Sequence, residues 1–232
     1  MARARCRTER QFYRSTEKND AKSTAGRQVW FAASSIPEGV ENPVKVMTDG
    51  KITEVTLSNR MASDPVRIPQ DGIVSVVREI ENPKDRSKPA YQTLAKATIA
   101  KETHKALIML VPTGMEGGDG LMFHAKVQDL AAFKGGDYLY LNLTKVNVAV
   151  QLGPDKITLK PGETSISKAP VLKEPLNIPV SYHFFHPARE TWQLLSASTV
   201  VRMSTRREIC VFSWDTRYER LNYHGITFPV AQ

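Results

Sequence analysis

The sequence lacks long apolar runs, cysteine pairs and the short motifs of common catalytic sites. It contains no run of about 18 apolar residues, so we expect no transmembrane helix. Its two cysteines, Cys6 and Cys210, form no CxxC motif and no metal-ligand spacing. It also has no GxSxG nucleophile elbow and no Walker or Rossmann glycine loop. The commonest signatures of hydrolases and nucleotide-binding proteins are therefore missing.

Histidine is scarce as well, with five in 232 residues. His183 and His186 are three apart, so on a strand they would point to opposite faces and would not chelate one metal together. His124 and His224 are expected at equivalent places in two related domains, which indicates a shared structural role. We expect no metal and no cofactor site.

Positive charge is concentrated at one end of the chain. The net charge is +8, and residues 1–27 alone hold eight basic and three acidic side chains. The remainder is nearly balanced. This distribution predicts a disordered basic tail over residues 1–27 and no specific nucleic-acid partner.

Turn residues and β-formers are abundant. Fourteen prolines and 13 glycines are scattered between short apolar runs that are rich in Val, Ile and Thr. The pair Asp49-Gly50 is typical of a tight hairpin turn, because both residues accept a positive φ. The composition therefore favours an all-β fold.

Two long hairpins match each other in sequence. Residues 91–112 and 192–214 align at an offset of 101, which places Trp192 on Tyr91, Thr199 on Thr98 and Ile209 on Ile108. Near the end of the chain an offset of 100 places His224 on His124. We interpret the chain as a duplication. The duplication predicts two tandem β-sandwich domains, immunoglobulin-like or transthyretin-like, at residues 28–134 and 135–232. It also predicts that Cys210 is buried in a core strand. Trp192 and Tyr91 should occupy equivalent positions at the start of the same strand in the two domains.

The segment YLYLNLTKVNVAVQLGPDKITLKPG, residues 138–162, and the hairpin after it resemble domains of exported bacterial proteins of unknown function. The resemblance implies small β-sandwiches at the cell envelope, with a protein or an anionic glycan as partner, and it transfers no catalytic residues. The charged N-terminus lacks the apolar region of a signal peptide. We therefore expect a periplasmic or extracellular location if a leader is missing from this chain, and a cytoplasmic one otherwise.

One cluster of side chains is a candidate binding site. Arginines with a tryptophan can bind phosphates or anionic glycans through charge-assisted hydrogen bonds. The cluster consists of Arg202, Arg206, Arg207, Trp214 and Arg217. The alternative is a solvated turn and strand face whose charge is neutralised by the neighbouring acids Glu208, Asp215 and Glu219.

Two functions remain open at the level of sequence. The first is a non-enzymatic binding or structural module of the bacterial cell envelope. The alternative is a hydrolase with its site between the two domains, which would use His183, His186 or Cys210. The tripeptide Asn142-Leu143-Thr144 also matches a glycosylation sequon beside a predicted strand.

Overall fold

The structure is a computed structural model that describes residues 26–83, 85–113, 120–215 and 220–230. All regular structure in these ranges is β-strand, which confirms the predicted all-β fold. This part of the chain has no helix of the length and apolar character needed to cross a membrane. The basic tail as far as residue 25, Cys6 and Arg217 lie outside the described residues.

The first eight strands form two four-stranded sheets. The first inner sheet has the order β4-β1-β7-β8 and the first outer sheet the order β3-β2-β5-β6. The strands are β1 (Gln28–Ala33), β2 (Val44–Thr48), β3 (Lys51–Val55), β4 (Val66–Arg67), β5 (Ile73–Ile80), β6 (Ala90–Thr98), β7 (Lys105–Pro112) and β8 (Phe123–Asp129). We call this sheet pair the first half.

The next eight strands repeat the arrangement and form the second half. The second inner sheet has the order β12-β9-β15-β16 and the second outer sheet the order β11-β10-β13-β14. The strands are β9 (Tyr138–Asn142), β10 (Val148–Leu152), β11 (Asp155–Leu159), β12 (Thr164–Ser167), β13 (Leu176–His186), β14 (Thr191–Arg202), β15 (Arg206–Asp215) and β16 (Arg220–Pro229).

The strand order distinguishes between the two expected topologies, immunoglobulin-like and transthyretin-like. In each half the first strand lies between the fourth and the seventh, and it pairs with the seventh in parallel. In an immunoglobulin sandwich the first and second strands share a sheet as neighbours. The observed order therefore favours the transthyretin-like alternative.

The outer hairpins of the two halves match at the offset of 101. Pairing of β5 with β6 shifts register at Leu94, and pairing of β13 with β14 shifts register at Leu195. Tyr91 and Trp192 both stand three residues before that bulge, so they occupy equivalent positions. A shared bulge is a specific structural feature, because it redirects every side chain that follows it.

The sequence alignment is wrong for the inner hairpins. Ile108 faces the core of the first half, whereas Ile209 faces the other inner sheet. Pairing with the first strand of each half makes Cys210 the equivalent of Ile108, an offset of 102 rather than 101. The last strands match at an offset of 98, because Phe123 pairs with Pro112 as Leu221 pairs with Trp214. His124 and His224 are consequently not equivalent.

Three apolar clusters hold four layers of sheet together. One cluster fills the first half and a second fills the second half. The third lies between the two inner sheets and combines Leu107 and Met109 with Ile209 and Ile226. Both faces of each inner sheet are therefore buried, whereas each outer sheet keeps one outward face.

The segment between the halves is held closely. Gly135 has its backbone against the turn after β14, where an added Cβ would lie 1.8 Å from the Ser204 oxygen. Asp137 is buried, and its carboxylate accepts hydrogen bonds from the backbone nitrogens of Lys134 and Ala169, both at 2.8 Å. These contacts fix how the chain enters β9.

Candidate functional site

Apolar side chains cover part of the outward face of the second outer sheet. Along β13 the even-numbered residues from Ile178 to Phe184 face the core, so His183 and Phe185 point outward. The same face carries Trp192 and Leu194 of β14, directly opposite Phe185 and His183. We call Phe185, Trp192 and Leu194 the apolar patch.

Two of the three side chains of the patch are solvent-exposed although they are large, and Phe185 is partly buried. Trp192 is 47% exposed and Leu194 is 59% exposed. The rings of Phe185 and Trp192 meet edge to face, with centroids 5.8 Å apart. Neighbouring exposed apolar residues are typical of interaction surfaces, whereas single ones are common on any protein.

The first half has polar groups at several of the equivalent positions, although Tyr91 takes the place of Trp192 and Val77 that of His183. Strand pairing places Lys45 and Glu79 where the second half has Ala149 and Phe185, and Thr93 where it has Leu194. Lys45 and Glu79 form an ion pair across the sheet. The fold therefore does not require apolar residues at these positions.

The patch adjoins an open sheet edge. β14 ends the second outer sheet, and among the described residues no strand pairs with its other side. Residues 191–201 contain no ionisable side chain. A long edge strand without charges is a template for pairing with another chain.

The other sheet edges in the described chain carry protective features. Two of these strands are short, with two residues in β4 and four in β12. Others carry charges, such as Lys51 and Glu54 in β3. The edges of β6 and β16 each meet another part of the chain, because Leu94 O accepts from Met122 N and Thr227 N donates to Arg60 O, both at 2.9 Å.

The arginine cluster predicted from the sequence does not form one surface. Arg202 is only 3% exposed. Its guanidinium donates to the backbone oxygen of Lys168 at 3.1 Å and to the hydroxyl of Ser167, and it lies 3.9 Å from the Asp155 carboxylate. This arginine ties β14 to the end of β12.

Arg206 and Arg207 also have partners within the chain. Arg206 Nε lies 2.8 Å from the Glu208 carboxylate. The Arg207 guanidinium stacks between the rings of Phe228 and Phe133, 5.0 and 5.8 Å from their centroids. Burial lowers the pKa of Arg207.

The remaining members of the predicted cluster lie elsewhere. Trp214 is eight residues beyond Arg206 on the same strand, which is roughly 26 Å at the usual rise per residue. Arg217 lies outside the described residues. Anion binding by these side chains stays a prediction, but the described members are not brought together.

The residues considered for hydrolysis are also apart. Cys210 faces the core of the second half, and His183 points to solvent from the far side of the second outer sheet. His183 and His186 lie on opposite faces of β13, as their spacing predicts. The described residues include no group of His, Cys, Asp and Glu that could hold a metal.

Cys210 is a buried, free thiol surrounded by aromatic side chains. Burial raises its pKa to about 12, although a hydrogen bond with Tyr182 lowers it in part. A thiol with such a pKa is protonated at neutral pH and is a poor nucleophile. This agrees with the structural role expected from its apolar strand.

Asn142, the first residue of the sequon, is fully buried. Its amide nitrogen donates to the backbone oxygens of Val146 and Leu159, at 2.8 and 3.1 Å. Its amide oxygen accepts from Thr144. In the folded chain the Asn142 amide is thus buried and occupied by a turn of the fold.

The apolar patch was not predicted from the sequence, which placed Trp192 only at the start of a strand as the equivalent of Tyr91. Two signals were present in the sequence: the absence of charge over residues 191–201, and the spacing of Trp192 and Leu194 on one face.

No protein-family model matches the chain, and no curated protein matches it either.

Proposed function

We propose that this chain is a non-enzymatic binding module, and that its binding surface is the apolar patch together with the open edge of β14. The observation that supports this most directly is the difference between the two outer sheets. At equivalent positions the first half has an ion pair and a threonine, and the second half has Phe185 and Leu194.

Exposure of large apolar side chains has a cost in water that a solvated surface avoids. Burying such side chains is worth about 1.5–3 kcal/mol each. A partner that covers the patch would gain this free energy and could add a strand to β14 through backbone hydrogen bonds. Charge, a catalytic group or a metal is not needed for this mode of binding.

Site-specific photocrosslinking tests the proposal. A benzophenone amino acid replaces Leu194 in one variant and its equivalent, Thr93, in the control, and both are expressed in the cells that make this protein. We expect covalent adducts of defined mass from position 194 and none from position 93. Equal labelling at the two positions, or none at 194, would contradict a binding surface there.

A further inference from the structure

We propose that the partner of this surface is a second copy of the same chain, paired antiparallel through β14. The two second outer sheets would join into one eight-stranded sheet. This inference rests on the proposed binding function of the surface and names its partner.

The chemistry of β14 permits pairing with itself. Two copies of a strand that contains no ionisable residue from 191 to 201 bring no like charges together. The bulge at Leu195 interrupts the strand, but residues 196–202 pair without a shift and form a straight segment. Seven residues extend roughly 23 Å, the length of an ordinary strand.

Symmetry defines the register. Antiparallel pairing of a strand with its own copy is isologous, so every contact occurs twice and the assembly closes as a dimer. Ala197, Thr199 and Val201 face outward in the straight segment. With the two-fold axis at Thr199, that residue meets its own copy and Ala197 meets Val201 of the second copy. Threonine pairs of this kind are favourable across strands.

The apolar patch continues this interface. Leu194 and Trp192 lie just before the bulge, on the same outward face. In the paired arrangement they extend past the end of the partner strand and flank the turn that follows it. The edge pairing accounts for the open edge of β14 and covers the patch only where it borders the turn of the second copy.

Other occupants fit the edge less well. Residues 1–25 of the same chain carry seven basic and three acidic side chains, and β14 has no charge up to Val201 to pair with them. An extended segment of a different protein would use the same backbone groups. If the tail occupies the edge, a dimer should form only after residues 1–25 are deleted. If another protein occupies it, the chain should be monomeric and should crosslink to that protein from position 194.

The experiment is sedimentation equilibrium of the full chain over a range of concentrations. We expect the mass to rise toward twice 26.0 kDa. Thr199→Lys should weaken association at least about tenfold, because two lysines meet on the axis. Thr199→Asp should do the same, and an equimolar mixture of the two variants should associate again. Thr98→Lys, at the equivalent position of the first half, is the matched control and should leave association unchanged.

Three results would overturn self-pairing: a wild-type chain that is monomeric at about 100 µM, a dimer that Thr199→Lys does not weaken, or a dimer that forms only after residues 1–25 are deleted. Thr199 is exposed, so thermal unfolding of the variants should match that of the wild type at concentrations low enough for the wild type to be monomeric. A monomer that still crosslinks to another protein from position 194 would overturn self-pairing and leave the proposed function standing. If the chain is monomeric and position 194 also gives no adduct, both self-pairing and the proposed binding function are overturned.

Discussion

The two halves share strand order, a bulge and a parallel first pairing, yet their cores differ in chemistry. The core of the first half contains only aliphatic residues and phenylalanine. The core of the second half contains three tyrosines and Cys210. Their outward faces differ as well, with an ion pair on one and an apolar patch on the other. The same fold therefore tolerates both chemistries, and each difference has a measurable consequence.

The largest expected effect is alkaline destabilisation that originates in the second half. Burial raises the pKa of Cys210 and of Tyr138 to about 12, and it raises the pKa of Tyr140 and Tyr182. Because the neutral forms are favoured in the fold, stability is fully present below about pH 9 and is lost as pH rises toward the folded-state pKa values. We expect a loss of several kcal/mol by pH 11, measured by urea unfolding.

The variant Tyr140→Phe/Cys210→Ala removes two of these groups and should flatten the pH dependence between pH 9 and 11. Tyr91→Phe in the first half is the matched control and should leave the slope as in the wild type. If the double variant and the wild type lose stability in parallel, the buried hydroxyl and thiol groups are not its source.

The next effect tests the corrected register of the inner hairpins. Ile108→Ala and Ile209→Ala should each cost about 2–5 kcal/mol, because both side chains are buried. Double-mutant cycles show which apolar cluster each of the two isoleucines belongs to. Ile209 shares the cluster between the halves with Leu107, so this pair should be non-additive in unfolding free energy, whereas Ile108 and Leu141 belong to different clusters and should be additive.

The offset of 101 would be correct for the inner hairpins if Ile209 and Leu107 were additive and Ile108 and Leu141 were coupled. Guanidinium unfolding of the single and double variants supplies all the required free energies.

The sequence was a good guide where one face of a strand meets water. In β6 and β14 the polar positions mark the register, so the offset of 101 holds through Leu94 and Leu195. In β7 and β15 both faces are buried, and apolar residues occupy every position from Ile209 to Phe212. A slip of one residue then leaves the pattern unchanged while it turns each side chain to the other face.

The candidate site was harder to predict for a related reason. Neighbouring arginines suggest a charged surface, but a hairpin turns Arg202 inward to the Ser167 hydroxyl. An exposed tryptophan in an edge strand has the same sequence pattern as a buried one. Which side of the sheet is covered depends on the packing of the two halves, and this is a non-local property.

A smaller effect is expected for Cys210 itself. Replacement by Ala removes one sulfur from a filled core and should cost about 1–2 kcal/mol. In a Cys6→Ser background, native Cys210 should react slowly with iodoacetamide at pH 7.5 and quickly in urea. Rapid alkylation of the folded protein would indicate an accessible thiolate and would favour the hydrolase alternative.

Truncation at the N-terminus should have a still smaller effect if it stops before Arg27. The Arg27 guanidinium donates to the backbone oxygen of Thr103 at 2.9 Å and to that of Ala100, so this residue is attached to the fold. Deletion of residues 1–25 should leave the melting temperature nearly unchanged. Deletion of residues 1–27 should lower it by a few degrees, because charged hydrogen bonds are lost. Equal melting temperatures for both truncations would contradict a role for Arg27.

The smallest effect on stability is expected from exchanging the outward faces. Phe185→Glu with Ala149→Lys places the ion pair of the first half on the second outer sheet, and Leu194→Thr completes the exchange. Because the changed side chains lie on the outward face, the free energy of unfolding should shift by no more than about 0.5 kcal/mol per site. Fluorescence of an apolar dye in the presence of the folded protein should nevertheless fall, since two of the three residues of the patch are replaced by polar ones. Glu79→Phe with Lys45→Ala and Thr93→Leu is the reciprocal variant and should raise the fluorescence. If the exchange instead destabilises the fold by several kcal/mol, the patch is part of the core of the second half and is not a surface available to a partner.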